Sequence, residues 1–196
     1  VLCAYMLHQA NIPYVLVEAR TIGGGITGNT TAKITSQHGL IYNRLIRRFG
    51  VEQAKKYLEA NELALEKYRQ LCNQIECDFE SKDSYVYSVD GSRKIEKERL
   101  ALDKLGFHSE FASHLSLPFP VAGSVRFPNQ AQFNPLKFLR AISQRLNIYE
   151  NTPVHELVGT TAITGSGKIS AEKIIVATHF PYLNKLGIYF MKMYQH

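Results

Sequence analysis

The sequence predicts an α/β chain: an incomplete doubly wound parallel layer, lacking its first strand and glycine loop, with an α+β domain inserted into it. Three observations predict this. An apolar run ending in a carboxylate, Tyr14-Val15-Leu16-Val17-Glu18, follows directly on a helical pattern over Val1 to Gln9. Alternating, strand-like stretches between Cys77 and Phe127 are broken by one helical stretch. A final run, Lys173-Ile174-Ile175-Val176-Ala177-Thr178, reads as a buried strand that returns the chain to the first layer.

The first helix is apolar almost all round, so other elements are expected to cover it. Asn11 is a helix stop, and Pro13 suits the first position of the strand that follows. In a nucleotide-binding βαβ unit, a carboxylate ending the second strand accepts hydrogen bonds from ribose hydroxyls, and Glu18 fits that role. The first strand and its glycine loop are then expected upstream of Val1, so the chain reads as a piece of a longer protein.

Gly23 to Gly28 form a literal G-x-G-x-x-G. They are not read as the pyrophosphate loop, because Ala19 to Ile22 separate them from the strand and no acid-ended strand follows about twenty residues on. The expectation is a loop that exposes backbone N–H groups, with Thr27, Thr30 and Thr31, toward a cofactor's phosphates or ring.

Leu40 to Phe49 is a short amphipathic helix stopped by Gly50, and Val51 to about Gln74 a long one. Its stripe of Val51, Ala54, Tyr57, Leu58, Leu65, Tyr68, Leu71, Cys72 and Ile75 is core packing. Strand patterns then appear at Asp78 to Glu80 and Ser84 to Val89, closed by Asp90-Gly91. A helix over Ser92 to Leu105, stopped by Gly106, separates them from strand-like pieces near Phe107 to Phe111 and Val121 to Phe127. Asn134-Pro135 is a helix start, a capping side chain followed by proline at the first helical position. Asn147 to Val154 reads as a strand and turn, and His155 to Ile163 with Ile169 to Ala177 as a hairpin across Gly165-Ser166-Gly167. The domain division expected from these patterns is 1–76 with 134–180 for the nucleotide layer, and 77–133 with 181–196 for part of a substrate domain.

The 196 residues, 45% apolar and 20% charged, are those of an ordinary globular chain. No apolar run reaches the roughly 20 residues of a membrane span, and no signal peptide pattern opens the chain. A cytoplasmic location without a membrane partner is expected. The net charge of +6 is carried by residues such as Arg44, Arg47, Arg48, Lys55 and Lys56, which are interleaved with Glu. A solvated face is therefore expected, with no nucleic-acid partner. Cys3, Cys72 and Cys77 lack metal-ligand spacing and read as buried thiols, so no metal site is expected.

Val15 to Arg20, Thr27 to Tyr42, Asn129 to Pro135, Tyr149 to Val154 and Ile174 to Pro181 together resemble the FAD-dependent oxidoreductases related to glycine oxidase and D-amino-acid oxidase. The similarity extends to the branch that often carries a C-terminal Rieske iron–sulfur domain. The resemblance implies a partial Rossmann-like FAD-binding layer with an inserted substrate domain, and oxidation of a small amine or amino acid. It also implies site roles: Glu18 for the adenosine ribose, Arg20 and Gly25 along the nucleotide, and Thr30, Thr31, Ala32 and Lys33 along the phosphates and flavin ring. Val154 would meet the adenine through its backbone, and Ala177 and Thr178 would close over the pyrophosphate. His38 would sit beside the isoalloxazine or serve as a hydrogen-bonded structural residue. No Cys-x-His pair of a Rieske cluster occurs in the chain, and a substrate-carboxylate clamp is expected beyond His196, so no catalytic base is named. A layer without its first strand is further expected to hold FAD weakly or not at all, and to self-associate through exposed sheet edges.

Overall fold

The structure is a computed structural model that describes residues 1–178. Five α-helices are present there: α1 (Leu2–Gln9), α2 (Tyr42–Phe49), α3 (Val51–Cys72), α4 (Arg93–Lys104) and α5 (Pro135–Ser143). The strands are β1 (Leu16–Val17), β2 (Lys33–Ile34), β3 (Glu80–Ser88), β4 (Glu110–Ala112), β5 (Gly123–Gln132), β6 (Ile148–Tyr149), β7 (Val154–Val158), β8 (Thr161–Thr164) and β9 (Gly167–Ser170). The mixed α/β class is the expected one.

The punctuation of the chain follows its local chemistry. Asn11 adopts φ 53° after α1, Gly50 φ 84° between α2 and α3, and Gly106 φ 76° after α4. In this left-handed region glycine meets no Cβ penalty and asparagine tolerates it best of the others, which ends a helix sharply. Asn134 holds extended backbone (φ −92°, ψ 104°), and its side-chain oxygen accepts the N–H groups of Leu136 and Lys137, with Pro135 in the first turn of α5. The predicted cap is therefore formed.

The described residues divide into two compact units, residues 25–144 and residues 1–24 with 145–178. In the larger unit β5 is the spine of an antiparallel sheet, flanked by β3 on one side and by β2 and β4 on the other. Helices α2, α3 and α4 bury Tyr42, Ala54, Leu58, Ile95, Ala101, Leu102 and Leu105 against Val125 and Phe127 of β5. The rings of Tyr42 and Phe127 stack at 6.0 Å. A second cluster, Ile34, Leu65 and Ala131, is closed by Tyr68, Phe79 and Phe133. The packing boundaries thus fall at 24/25 and 144/145, because α2 and α3, helical in pattern, lie on the sheet formed by β3 and β5.

In the smaller unit β1 pairs with β6 in parallel, Leu16 opposite Ile148 and Val17 opposite Tyr149. β7, β8 and β9 form an antiparallel meander.

Four expectations need correction. Lys173 to Thr178 form no strand among the described residues, and Ile175 and Val176 are 64% and 52% exposed. An extended segment becomes a strand only when a neighbour takes up its N–H and C=O groups, and no described strand pairs with it. The predicted hairpin over His155 to Ala177 is instead three strands, because Gly159 (φ 57°) turns the chain inside the arm read as continuous. Helix α1 buries only Ala4, and Met6 is 59% exposed, so no described element covers it all round. Cys3 on that helix is consequently exposed, whereas Cys72 and Cys77 are buried as expected. The free thiol of Cys72 is pushed up to about 12 by its burial, which makes it a poor nucleophile.

Candidate nucleotide-binding site

The smaller unit contributes a pair of carboxylates at adjacent parallel strand ends. Beyond Val17 the ladder runs one step further, Glu18 N–H donating to the Tyr149 carbonyl (2.9 Å) and Thr152 N–H to the Glu18 carbonyl (2.8 Å). The Glu18 carboxylate is therefore set at the C-terminal end of β1, where ligands of α/β layers bind. One of its oxygens accepts the Arg20 N–H at 2.9 Å. Across the pair, a Glu150 oxygen accepts the Ile22 N–H at 2.6 Å. The turn from Ala19 to Ile22 is thus held from both strand ends. Arg20 is exposed, its backbone carbonyl accepting from Asn151 N–H at 2.8 Å. Val154 opens β7 opposite Thr164. Ala177 and Thr178 lie in the exposed segment after β9.

The larger unit holds the rest of the predicted set. Gly25 precedes a single turn of 3-10 helix, Ile26–Asn29, and its carbonyl accepts from Gly28 N–H and the Asn29 side chain. No α-helix starts at these glycines. Ala32 stands at φ 61°, an unusual conformation for a residue with a Cβ, its N–H reaching the Thr30 hydroxyl at 3.4 Å. Its carbonyl accepts from Phe133 N–H, and Lys33 and Ile34 then join β5 opposite Gln132 and Ala131.

Two clefts flank this run. One, of about 490 Å³, is lined by Gly28, Thr30, Ala32, Asp78, Glu80 and the start of α5. Asp78 is held below the usual carboxylate range by its hydrogen bond from Lys137, and Glu80 by that from Lys82. The other, of about 230 Å³, is lined by Lys33, Ile34, Thr35, Asn61, Leu65 and Tyr68. Lys33 has no carboxylate partner among the described residues. His38 is exposed; its Nε2 lies 3.3 Å from Asn61 Oδ1, and its ring meets Tyr57 edge-on.

Beyond the predicted set, the structure adds buried side chains. Glu98, 1% exposed, caps α2 by accepting the N–H groups of Tyr42 and Asn43 at 2.6 and 2.9 Å. Burial nevertheless raises its pKa. The Tyr42 hydroxyl donates to the Ser36 carbonyl at 2.5 Å, and the Gln130 amide oxygen accepts the Ser36 N–H at 2.7 Å. No local pattern marks these long-range partners. Glu150 could have been found, since Ile148-Tyr149-Glu150 repeats the β-strand-then-acid pattern of Leu16-Val17-Glu18.

Within the smaller unit Glu18 offers an acceptor at a parallel strand end, of the kind ribose hydroxyls need. Within the larger unit threonine hydroxyls and Lys33, which has no carboxylate partner among the described residues, offer donors of the kind phosphate or ring oxygens need. The comparisons with known proteins agree. The family described as FAD dependent oxidoreductase (DAO) matches residues 1–188, and the chain belongs to that family, whose cofactor is FAD. Among individual proteins it is 33% identical to YhfW of Bacillus subtilis (strain 168), named for a Rieske 2Fe-2S iron–sulfur protein. The match covers 97% of this chain and 40% of the relative, so the chain spans less than half of that protein's length. Among solved structures, glycine oxidase from Geobacillus kaustophilus superposes with a TM-score of 0.64 at 15% identity, over 89% of this chain and 50% of that one. L-proline dehydrogenase from P. horikoshii gives 0.61 at 14%, over 85% and 46%. These likenesses establish the fold. Among the described residues no helix is long and apolar enough to cross a membrane, and no cluster of metal-ligating side chains occurs.

Proposed function

We propose that this chain supplies nucleotide-binding and substrate-domain parts of an FAD-dependent oxidoreductase acting on a small amine or amino acid. The observation that supports this best is the carboxylate of Glu18 at the end of β1, oriented by the Arg20 N–H within a chain of the DAO family. FAD, held by the residues named below, would supply the hydride acceptor for oxidising the carbon beside the substrate nitrogen. Glu18 accepts the ribose hydroxyls, with Arg20 and Gly25 along the nucleotide. Thr30, Thr31, Ala32 and Lys33 serve the phosphates and ring, Val154 the adenine, and Ala177 with Thr178 the pyrophosphate. In this reading residues 1–76 and 134–180 are the FAD-binding part, and 77–133 belongs to the substrate part.

The full-length protein, purified and examined for bound flavin, tests the reading. A yellow protein whose flavin bleaches anaerobically on adding an amino acid or secondary amine is expected, with Glu18→Gln weakening FAD binding about tenfold, the loss of a charge-assisted hydrogen bond. A colourless protein that takes up no FAD refutes it.

One observation favours a second reading for the 196-residue chain by itself, that of a self-associating piece that does not retain FAD: Ile174, Ile175 and Val176 are exposed in a segment that no described strand pairs with. Light scattering that finds a monomer with stoichiometric FAD removes it.

A further inference from the structure

Residues 33–38 are fastened at successive positions to three different elements. Lys33 and Ile34 pair with β5, and the Gln37 side chain accepts from the Ser84 hydroxyl of β3 at 2.7 Å. Ser36, fully buried, is gripped on both backbone groups: its N–H by Gln130 of β5 and its carbonyl by Tyr42 of α2. Gln130 is itself 1% exposed and fully engaged. Its Oε1 accepts both the Ser36 N–H at 2.7 Å and the Ser36 hydroxyl at 3.3 Å. Its Nε2 donates to Glu62 Oε1 of α3 at 3.3 Å and to the Pro128 carbonyl at 3.1 Å.

A buried amide with every group satisfied fixes one backbone geometry, because any shift of Ser36 would strand a donor in a medium without water. A plain core would need only apolar contact at this point. The run so fixed continues directly from the residues assigned to the flavin ring, where misplacement by an ångström impairs reaction geometry. We propose that Gln130 is a positioning residue of the oxidoreductase, which holds the backbone of Lys33 to His38 against the flavin through Ser36. This rests on the functional reading above.

The test is Gln130→Met in the full-length protein, a change that keeps the volume and removes both the acceptor and the donor. Ile95→Ala, a core deletion in α4 that removes none of Ser36's hydrogen-bond partners, serves as the comparison that destabilises by packing alone. Amide hydrogen exchange, which needs no cofactor, should accelerate at least tenfold over residues 33–38 in Gln130→Met and remain near the wild-type rate there in Ile95→Ala. In the FAD-loaded protein, the visible circular dichroism of the flavin should change and the FAD Kd should rise about tenfold in Gln130→Met, with Ile95→Ala unchanged in both. Unaltered exchange over 33–38, or flavin dichroism and Kd that move equally in both variants, would overturn the proposal. A wild-type protein that binds no FAD overturns the functional reading and the flavin half of this one together. The exchange data then still decide whether Gln130 clamps the run.

Discussion

Residues 25–32 and residues 33–38 adjoin in sequence and between them carry the predicted site residues Gly25, Thr30, Thr31, Ala32, Lys33 and His38, yet they are held in different ways. The first stretch is exposed for most of its length and is held mostly by near neighbours, Gly28 and Asn29 bonding back to Gly25 and Ala32 to Thr30, with one distant bond, from Phe133 N–H to the Ala32 carbonyl, at its end. The second contains three buried residues, Ile34, Ser36 and Gln37, and is fixed by partners 94 positions away at Gln130 and 47 away at Ser84. Local bonds can form and break independently of the fold, whereas the distant ones exist only when the sheet and helices are assembled. The first stretch is thereby free to rearrange without disturbing the core, and the second is not.

The comparison can be broken most severely through Glu98. Its carboxylate anchors the start of α2, and α2 carries the Tyr42 hydroxyl that grips Ser36. Glu98→Ala leaves buried N–H groups without an acceptor and is expected to lower unfolding free energy by about 3 kcal/mol. Urea denaturation measures that loss, and a cost below about 1 kcal/mol would mean that solvent replaces the cap. The same group gives a pH signature. Because burial raises its pKa, the folded state holds the Glu98 proton more tightly than the unfolded chain does. Its contribution to stability is therefore fully present below the ordinary glutamate value and declines as pH rises through the folded value. Asp78, Glu80 and Glu96, held low by Lys137, Lys82 and Arg99, act in the opposite sense, losing their contribution as pH falls. The difference in stability between wild type and Glu98→Gln, followed upward from about pH 4.3, isolates Glu98 and should drift against the wild type.

A smaller effect is expected at Asn134. Its side-chain oxygen caps α5, and α5 packs against the 3-10 turn of residues 26–29. Asn134→Ala should cost about 1 kcal/mol. Hydrogen exchange should quicken in the first turn of α5, with residues 33–38 unaffected; acceleration there would show that the two stretches are not independently held.

The smallest effects belong to the first stretch itself. A Cβ added at Gly25 meets nothing within 4 Å, so Gly25→Ala should change stability by less than about 0.5 kcal/mol. Ala32→Gly should slightly increase it, by about 0.5 kcal/mol, since glycine relieves the φ of 61°. A thermal melt of each variant is sufficient. A loss of several degrees in Gly25→Ala would show that residues 25–32 are as firmly built in as residues 33–38.

Much of the fold was legible in the sequence because its signals are local. The stops at Gly50 and Gly106, the Asn134-Pro135 cap and the period of α3 each depend on a few consecutive residues and appeared where expected. The carboxylate ending β1 was legible for the same reason. Legibility failed where an outcome depends on a partner. Ile174 to Val176 have the composition of a buried strand, but composition does not supply the neighbouring ladder. Helix α1 is apolar enough to be covered, and only Ala4 is buried. At the site, Glu150 repeats the signal that identified Glu18, whereas Gln130, Tyr42 and Glu98 carry none, being ordinary residues of a strand and two helices.

The amino-acid order by itself determined where helices begin and end, which strand closes on an acid, and the family to which the chain belongs. The first two are short-range consequences of backbone sterics, capping and side-chain period; the family rests on the resemblance of several stretches to known sequences. Only the tertiary structure decided which residues share a hydrogen bond across the chain, above all that Ser36 is held by Gln130 and Tyr42. A buried polar group must find its partner wherever the packing brings one, and packing is a property of the whole assembled unit.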